Sequence, residues 1–190
     1  AALAARLAGG SPALVGFSLY LWNAERSLHA AREVKRLSPE TVVAVGGPEV
    51  GPGNGFLLSR DGFDAAVTGE GENAFVRLLS ALPRFPAPGE IHGTAVRSAG
   101  RLSPFAPCGP EDFPLSPAAS PYAAGILPVP AGGSVYLETA RGCRARCSFC
   151  FYSRRRTAVR TLPPRAIAGL VRRFAEAGAR EVYLLDPTFN

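Results

Sequence analysis

Three cysteines within eight residues form the part of this sequence best suited to chemistry. Cys143, Cys147 and Cys150 have CxxxCxxC spacing, and Cys108 is the only other cysteine in the chain. Because three clustered thiols cannot pair off among themselves, this spacing indicates metal ligands rather than a disulfide framework. Three thiolates on a short loop can hold three irons of a four-iron, four-sulfur (4Fe–4S) cluster, and the fourth iron then stays open for an outside ligand.

Two other classes of metal protein use cysteines in a similar way. A structural zinc site needs a fourth protein ligand. The two histidines, His29 and His92, lie far away in sequence, although Cys108 could fold back to serve. A ferredoxin-like electron carrier normally supplies a fourth cysteine in its pattern, and none follows Cys150. The spacing therefore favours a cluster with an open iron and leaves zinc as the alternative.

The segment around the triplet resembles the radical S-adenosylmethionine (SAM) superfamily. The hallmark of that superfamily is CxxxCxΦC, in which Φ is aromatic, and Phe149 occupies that position here. The resemblance implies that the open iron chelates the amino and carboxylate groups of SAM. It also implies that one electron from the cluster cleaves SAM to a 5′-deoxyadenosyl radical, and that an electron donor such as flavodoxin or ferredoxin is a partner.

The same resemblance implies SAM-binding roles for three residues. Phe149 and Tyr152 would flank the cluster and the adenine, with packing at the mouth of a barrel as the alternative. Asp186 would accept hydrogen bonds from the SAM amino group at the tip of the second barrel strand. The alternative for Asp186 is a turn-capping role beside Pro187.

The elements around the cysteine loop are those expected at the start of a βα barrel. Residues 134–139 are predicted to form a strand, and the cysteine loop leaves its carboxyl end, where βα barrels place their chemistry. A helix is predicted from Pro164 to about residue 177, followed by a strand over 181–185. Residues 134–190 are therefore expected to be the start of a radical SAM barrel of the TIM type, truncated after two strands.

Strands and helices alternate in residues 1–82. The predicted elements are helices over 1–10, 24–37 (capped by Asn23) and about 72–82, and apolar strands over 13–21, 41–45 and 63–67. This alternation predicts a doubly wound α/β, Rossmann-like sheet, in which ligands bind outside the carboxyl ends of the strands.

The turns at those strand ends resemble the cobalamin-binding domain of cobalamin-dependent radical SAM proteins. The resemblance implies that a serine-containing segment and a Gly-Gly turn line the slot for the cobalamin nucleotide tail. The implied cobalamin-binding residues are Ser18, Leu19, Tyr20, Trp22, Asn23, Gly46, Gly47, Pro48, Glu49, Gly69, Glu70, Gly71 and Glu72. The Asp-x-His-x-x-Gly element that supplies an axial histidine in many cobalamin proteins is absent, and His29 is interpreted as a surface or core residue.

Residues 83–133 are rich in Pro, Gly, Ala and Ser and are predicted to form a linker. Two short apolar runs at 91–97 and 101–105 predict a small hairpin within it. The expected organisation is thus a cobalamin-binding-like domain over 1–82 with its N-terminus missing, a linker over 83–133, and the barrel start.

Composition bears on the partners and the location expected for this protein. The net charge is +6, but the only dense basic run is Arg154 to Arg156, so a nucleic-acid partner is conceivable and not favoured. No apolar stretch approaches the roughly 20 residues of a transmembrane helix, so no membrane partner is expected. Oxygen-sensitive clustered thiols favour the cytoplasm. The absence of methionine and the abrupt ends suggest an excerpt of a longer protein.

These observations predict a cobalamin-dependent radical SAM enzyme that performs methyl transfer or another radical modification of an unknown substrate. One alternative is an enzyme like the tRNA methylthiotransferases, which share CxxxCxxC. Those enzymes carry three cysteines in a preceding domain, and here only Cys108 precedes the triplet. The other alternative is a non-catalytic module that binds cobalamin or zinc.

Overall fold

The structure is a computed structural model that describes residues 2–85, 91–107, 115–145, 147–150, 152 and 158–188. It divides into two compact units, Ala1–Phe113 and Pro114–Asn190. The elements of the first unit are α1 (Ala2–Gly9), β1 (Leu14–Ser18), α2 (Ala24–Leu37), β2 (Val42–Gly46), α3 (Gly55–Leu58), β3 (Ala65–Val67), α4 (Gly71–Ala81), β4 (Thr94–Ser98) and β5 (Arg101–Leu102). Those of the second unit are β6 (Ser134–Leu137), β7 (Ala140–Arg141), β8 (Arg160–Thr161), α5 (Pro164–Glu176) and β9 (Glu181–Leu184).

The first unit is a five-stranded sheet in the order β1-β2-β3-β4-β5. Strands β1, β2 and β3 are parallel, and Ser18 at the end of β1 is in register with Gly46 at the end of β2. Strand β4 runs antiparallel to β3 and β5 antiparallel to β4. The three parallel strands therefore end at the same edge of the sheet, which is where their loops meet.

Helices cover both faces of this sheet. Because side chains alternate along a strand, Val43 and Val45 of β2 pack with Leu28 of α2, whereas Ala44 packs with Leu78 of α4 on the other face. The buried residues of α2 recur every three positions and form one apolar stripe toward the sheet. The Rossmann-like α/β fold predicted from the sequence is confirmed.

The predicted hairpin is present as β4 and β5, and it extends the sheet antiparallel to β3. The Arg97 guanidinium holds it in place by donating to the backbone oxygens of Phe63 (3.1 Å), Leu58 (3.4 Å), Arg60 (2.9 Å) and Gly100 (3.1 Å). The sequence placed this hairpin in a linker, whereas its contacts belong to the first unit. The contacts within the structure divide the chain between residues 113 and 114. The domain boundaries at 82/83 and 133/134 stay predictions.

The second unit is built on the parallel pair β6 and β9, which α5 connects. Its core contains Val135 and Leu137 of β6 with Leu170 and Phe174 of α5. Tyr122 packs edge-on against the Phe174 ring at 5.6 Å, so part of the predicted linker contributes to this core. A small antiparallel pair, β7 and β8, brackets the cysteine loop.

Two local predictions differ from the structure. The side chain of Asn23 makes no cap hydrogen bond to α2, and its amide is used in the preceding loop instead. The short helix α3 was not predicted, although Asn54 at its start is a favoured capping residue and accepts a hydrogen bond from the Leu57 backbone N–H at 3.2 Å.

Cys108 and the run from Arg154 to Arg156 lie outside the described residues. Among the described helices, none is long and apolar enough to cross a membrane.

Candidate functional site

The loops after β1 and β2 are joined by backbone hydrogen bonds. Leu19 is fully buried, and its N–H donates to the Gly46 carbonyl at 2.7 Å, one residue beyond the regular pairing. The Glu49 N–H donates back to the Leu19 carbonyl at 3.2 Å. The first two predicted cobalamin-binding turns are therefore adjacent, and each fixes the other.

Gly47 makes this close approach of two backbones possible. Its φ is +101°, and a Cβ added there would lie 2.8 Å from the oxygen and 2.9 Å from the nitrogen of Leu19. Only glycine accepts both the positive φ and the contact. The turn continues through Val50, whose N–H donates to the Gly47 carbonyl at 3.0 Å.

The loop after β3 meets the same turn. The Thr68 hydroxyl donates to the Val50 carbonyl at 3.3 Å. Helix α4 begins at Gly71, and Glu72 lies in its first turn, where the helix dipole favours a carboxylate. The described structure thus brings the three predicted turns, including Pro48 and the segment 69–72, to one edge of the sheet.

An exposed aromatic pair stands at the end of β1. The rings of Tyr20 and Trp22 are stacked, with centroids 4.8 Å apart and planes 16° apart, and Trp22 is 80% exposed. The Asn23 amide shapes this loop: its oxygen accepts from the Tyr20 N–H at 2.8 Å and its nitrogen donates to the Ser18 carbonyl at 3.1 Å. Leu21, which lies between the rings in sequence, is also exposed and was not among the predicted residues.

In the second unit, the three predicted cluster ligands share one loop but differ in burial. Cys143 is 8% exposed, Cys147 is exposed and Cys150 is half-buried. The Cys150 N–H donates to the Cys147 carbonyl at 3.0 Å, which makes the CxxC segment a tight turn. Within the described residues, no three His, Cys, Asp or Glu side chains are already gathered as a metal site.

Gly142 directly before the first cysteine is a site residue that the sequence reasoning missed. Its φ is +101°, and an added Cβ would lie 2.1 Å from the carbonyl oxygen of Ala158, across the β7–β8 pair. The position therefore requires glycine, and its N–H donates to the Tyr152 hydroxyl at 3.2 Å. A glycine immediately before the first predicted ligand cysteine was the signal available in the sequence.

Asp186 ties the root of the cysteine loop to the end of β9. Its carboxylate accepts from the Ala140 N–H at 2.9 Å, from the Thr139 N–H at 2.7 Å and from the Thr139 hydroxyl. The contact of Asp186 with SAM stays a prediction, as do those of Phe149, which is 88% exposed, and Tyr152. Carboxylates offer about four acceptor positions, and the described residues donate to three of them.

An ion pair and a stacked pair of tyrosine rings flank the same strands. Glu138 and Arg141 form a bidentate ion pair with N–O distances of 2.9 and 2.6 Å beside the cysteine loop. On β6 and β9 the rings of Tyr136 and Tyr183 stack at 5.5 Å, and the negative charge of Glu181 raises the pKa of Tyr183. Tyr183 therefore stays a neutral phenol at physiological pH.

Comparison with known proteins gives a family match for part of the first unit and relatives for the chain as a whole. Residues 1–79 match the B12 binding domain family. The chain is 30% identical to the 2-(S-pantetheinyl)-carbapenam-3-carboxylate methyltransferase of Streptantibioticus cattleyicolor. It is also 30% identical to the cobalamin-dependent radical SAM methyltransferase TokK of Streptomyces tokunonensis. Residues 1–79 thus belong to the B12 binding domain family, and the chain as a whole is similar to a cobalamin-dependent radical SAM methyltransferase.

The chain aligns over 94% of its own length with both curated relatives and spans 28% of theirs. Its fold is also that of OxsB, solved with aqua-cobalamin and SAM bound (TM-score 0.67, 17% identity, 98% of this chain and 27% of that one). A second fold relative is TsrM from Kitasatospora setae, solved with cobalamin and a 4Fe–4S cluster (TM-score 0.62, 19% identity, 94% of this chain and 38% of that one). The predicted resemblance to cobalamin-binding radical SAM proteins is confirmed, while the binding of SAM and of a cluster by this chain, and the individual site residues, stay predictions.

Proposed function

We propose that this chain supplies the cobalamin-binding and cluster-binding parts of a methyltransferase. The observation that carries the proposal is the cysteine loop at the carboxyl end of β6, whose root Asp186 ties to the neighbouring strand. The two curated relatives support methyl transfer, because both are methyltransferases. The substrate is left open, since the chain spans 28% of those relatives.

The cysteine loop fits a 4Fe–4S cluster by the chemistry of its donors. Cys143, Cys147 and Cys150 would bind three irons, and the fourth iron would take SAM. Gly142 lets the chain turn so that Cys143 points inward while Cys147 stays accessible. The Glu138–Arg141 pair keeps a guanidinium near the loop, where positive charge offsets the charge of bound thiolates. When bound, the cluster supplies one-electron chemistry on SAM, and cobalamin supplies a carrier for methyl groups.

The end of β9 would hold the amino acid part of SAM. Three of the acceptor positions of Asp186 hold the strand tips together, so its carboxylate is oriented before SAM binds. A carboxylate fixed in this way can accept a further hydrogen bond from an ammonium group without being reordered. Phe149 and Tyr152 offer aromatic surface for the adenine, and both rings are accessible.

The three turns of the first unit would hold cobalamin. Gly47 allows the backbone of the β2 loop to lie directly against Leu19, which leaves a surface of main-chain groups for a large flat ligand. The stacked Tyr20 and Trp22 rings provide exposed aromatic area beside that surface. Asn23 keeps those rings in place because both ends of its amide are bonded within the loop.

Anaerobic reconstitution of the full-length protein tests the proposal. We expect four irons and four sulfides per chain, an EPR signal after reduction, and 5′-deoxyadenosine or a methylated product from SAM. Alanine at Cys143, Cys147 or Cys150 removes the cluster, whereas alanine at Cys108 serves as the matched control and keeps it. One equivalent of zinc with no iron in the wild-type protein contradicts the proposal and favours the zinc-binding alternative.

A further inference from the structure

The hydroxyl of Thr188 lies against the sulfur of Cys143. The Oγ1 to Sγ distance is 3.0 Å, although the two residues are 45 positions apart in the chain. Cys143 is the most buried of the three clustered cysteines, at 8% exposure. Thr188 follows the end of β9 and has no role among the residues singled out from the sequence.

The surrounding contacts hold this pair in register. Two residues before Thr188, the Asp186 carboxylate binds the N–H groups of Thr139 and Ala140 at 2.7 and 2.9 Å. The cysteine loop begins three residues after Ala140. The segment 186–188 therefore contacts the loop at its root and again at its first sulfur. A hydrogen bond between two such restrained groups costs little extra ordering.

The direction of this hydrogen bond is fixed once Cys143 is a metal ligand. A ligating cysteine is a thiolate and can only accept, so the Thr188 hydroxyl must donate. Reduction of a cluster places more negative charge on its sulfur ligands, and a donor to sulfur stabilises the reduced form more than the oxidised form. Burial of Cys143 strengthens the effect, because the local dielectric constant is low.

We propose that Thr188 is a positioning residue that raises the reduction potential of the cluster through its hydrogen bond to Cys143. The proposal rests on the proposed function, since it requires that Cys143 binds a cluster. Among the described residues, Cys143 is the only one of the three cysteines whose sulfur has a side-chain hydrogen-bond partner. Within the part of the chain that the structure describes, the donation therefore goes to one sulfur of the set.

The test compares the midpoint potentials of reconstituted full-length variants by EPR-monitored redox titration. Thr188→Val keeps the shape and removes the donor, and we expect its potential to shift to a more negative value. Thr188→Ser keeps the hydroxyl and returns the potential toward that of the wild type. Thr161→Val, at an exposed threonine of β8, is the matched control and leaves the potential unchanged.

Iron and sulfide content distinguishes failure of the proposed function from failure of the inference about Thr188. A wild-type protein without iron and sulfide overturns the proposed function and this inference together. A full cluster in wild type and Thr188→Val with equal potentials overturns this inference alone. If Thr188→Val loses its cluster, Thr188→Ala gives the same comparison, and a shift to a more positive potential in that variant contradicts the inference.

Discussion

Alanine at Gly47 tests whether the contact between the first two loops organises the edge of the sheet. The added Cβ would lie 2.8 and 2.9 Å from the oxygen and nitrogen of Leu19. Leu19 cannot move aside freely, because its N–H and carbonyl are bonded to Gly46 and Glu49 at 2.7 and 3.2 Å. The strain must therefore separate the loops or displace the turn.

The expected cost has two parts. A non-glycine residue at φ +101° is strained by about 1–3 kcal/mol. Overpacking against a backbone held by its own hydrogen bonds adds about 1–3 kcal/mol. The free energy of unfolding of the first unit should thus fall by about 2–6 kcal/mol, a large fraction of the roughly 5–15 kcal/mol typical of a domain.

Gly46→Ala is the matched control for Gly47→Ala. The added methyl at Gly46 would lie 3.6 Å from the Val67 carbonyl oxygen, an ordinary contact, and Gly46 has no positive φ. Removing glycine from a strand end lowers the entropy of the unfolded chain, so we expect a change within about 1 kcal/mol. Only the substitution at Gly47 should therefore lower the free energy of unfolding substantially.

Urea denaturation followed by far-ultraviolet circular dichroism measures both variants. Trp22 is the only tryptophan in the chain and lies in the affected loop, so its emission reports whether the Tyr20 stack is kept. In Gly47→Ala we also expect weaker cobalamin binding, read from the absorbance of the bound cofactor. Equal unfolding free energies for the two variants would refute the reasoning.

Much of the fold could be predicted from local sequence. The helix α2 has the predicted bounds, because its apolar stripe recurs at helical spacing and leucine, alanine and valine are buried there. The parallel strands are short apolar runs, as expected for strands covered on both faces. The convergence of the three turns then follows from topology, since parallel strands end at one edge.

Long-range pairing could not be predicted from the same signals. Strand β4 joins β3 through hydrogen bonds between positions far apart in sequence, so its local pattern indicated a hairpin without the sheet that receives it. The same limit applies at the cysteine loop. Asp186 binds residues 46 and 47 positions away, and only the fold reveals that its carboxylate already accepts hydrogen bonds from them.

Four further substitutions give separate checks, each measured by denaturation. Gly142→Ala places a methyl 2.1 Å from a backbone oxygen and should destabilise the second unit and prevent cluster incorporation, whereas Gly169→Ala, with open space around it in α5, should stabilise by about 0.5–1 kcal/mol. Arg97→Ala removes a guanidinium that donates to four backbone carbonyls and should cost at least about 2 kcal/mol in the first unit. The hydrogen bond from Arg32 holds the pKa of Asp61 below its usual range. Because the folded pKa is the lower one, this stabilisation is present above about pH 4 and is lost as the pH falls through the folded value. Asp61→Asn should therefore flatten the loss of stability below about pH 4, and an unchanged acid profile would show that the pair contributes nothing.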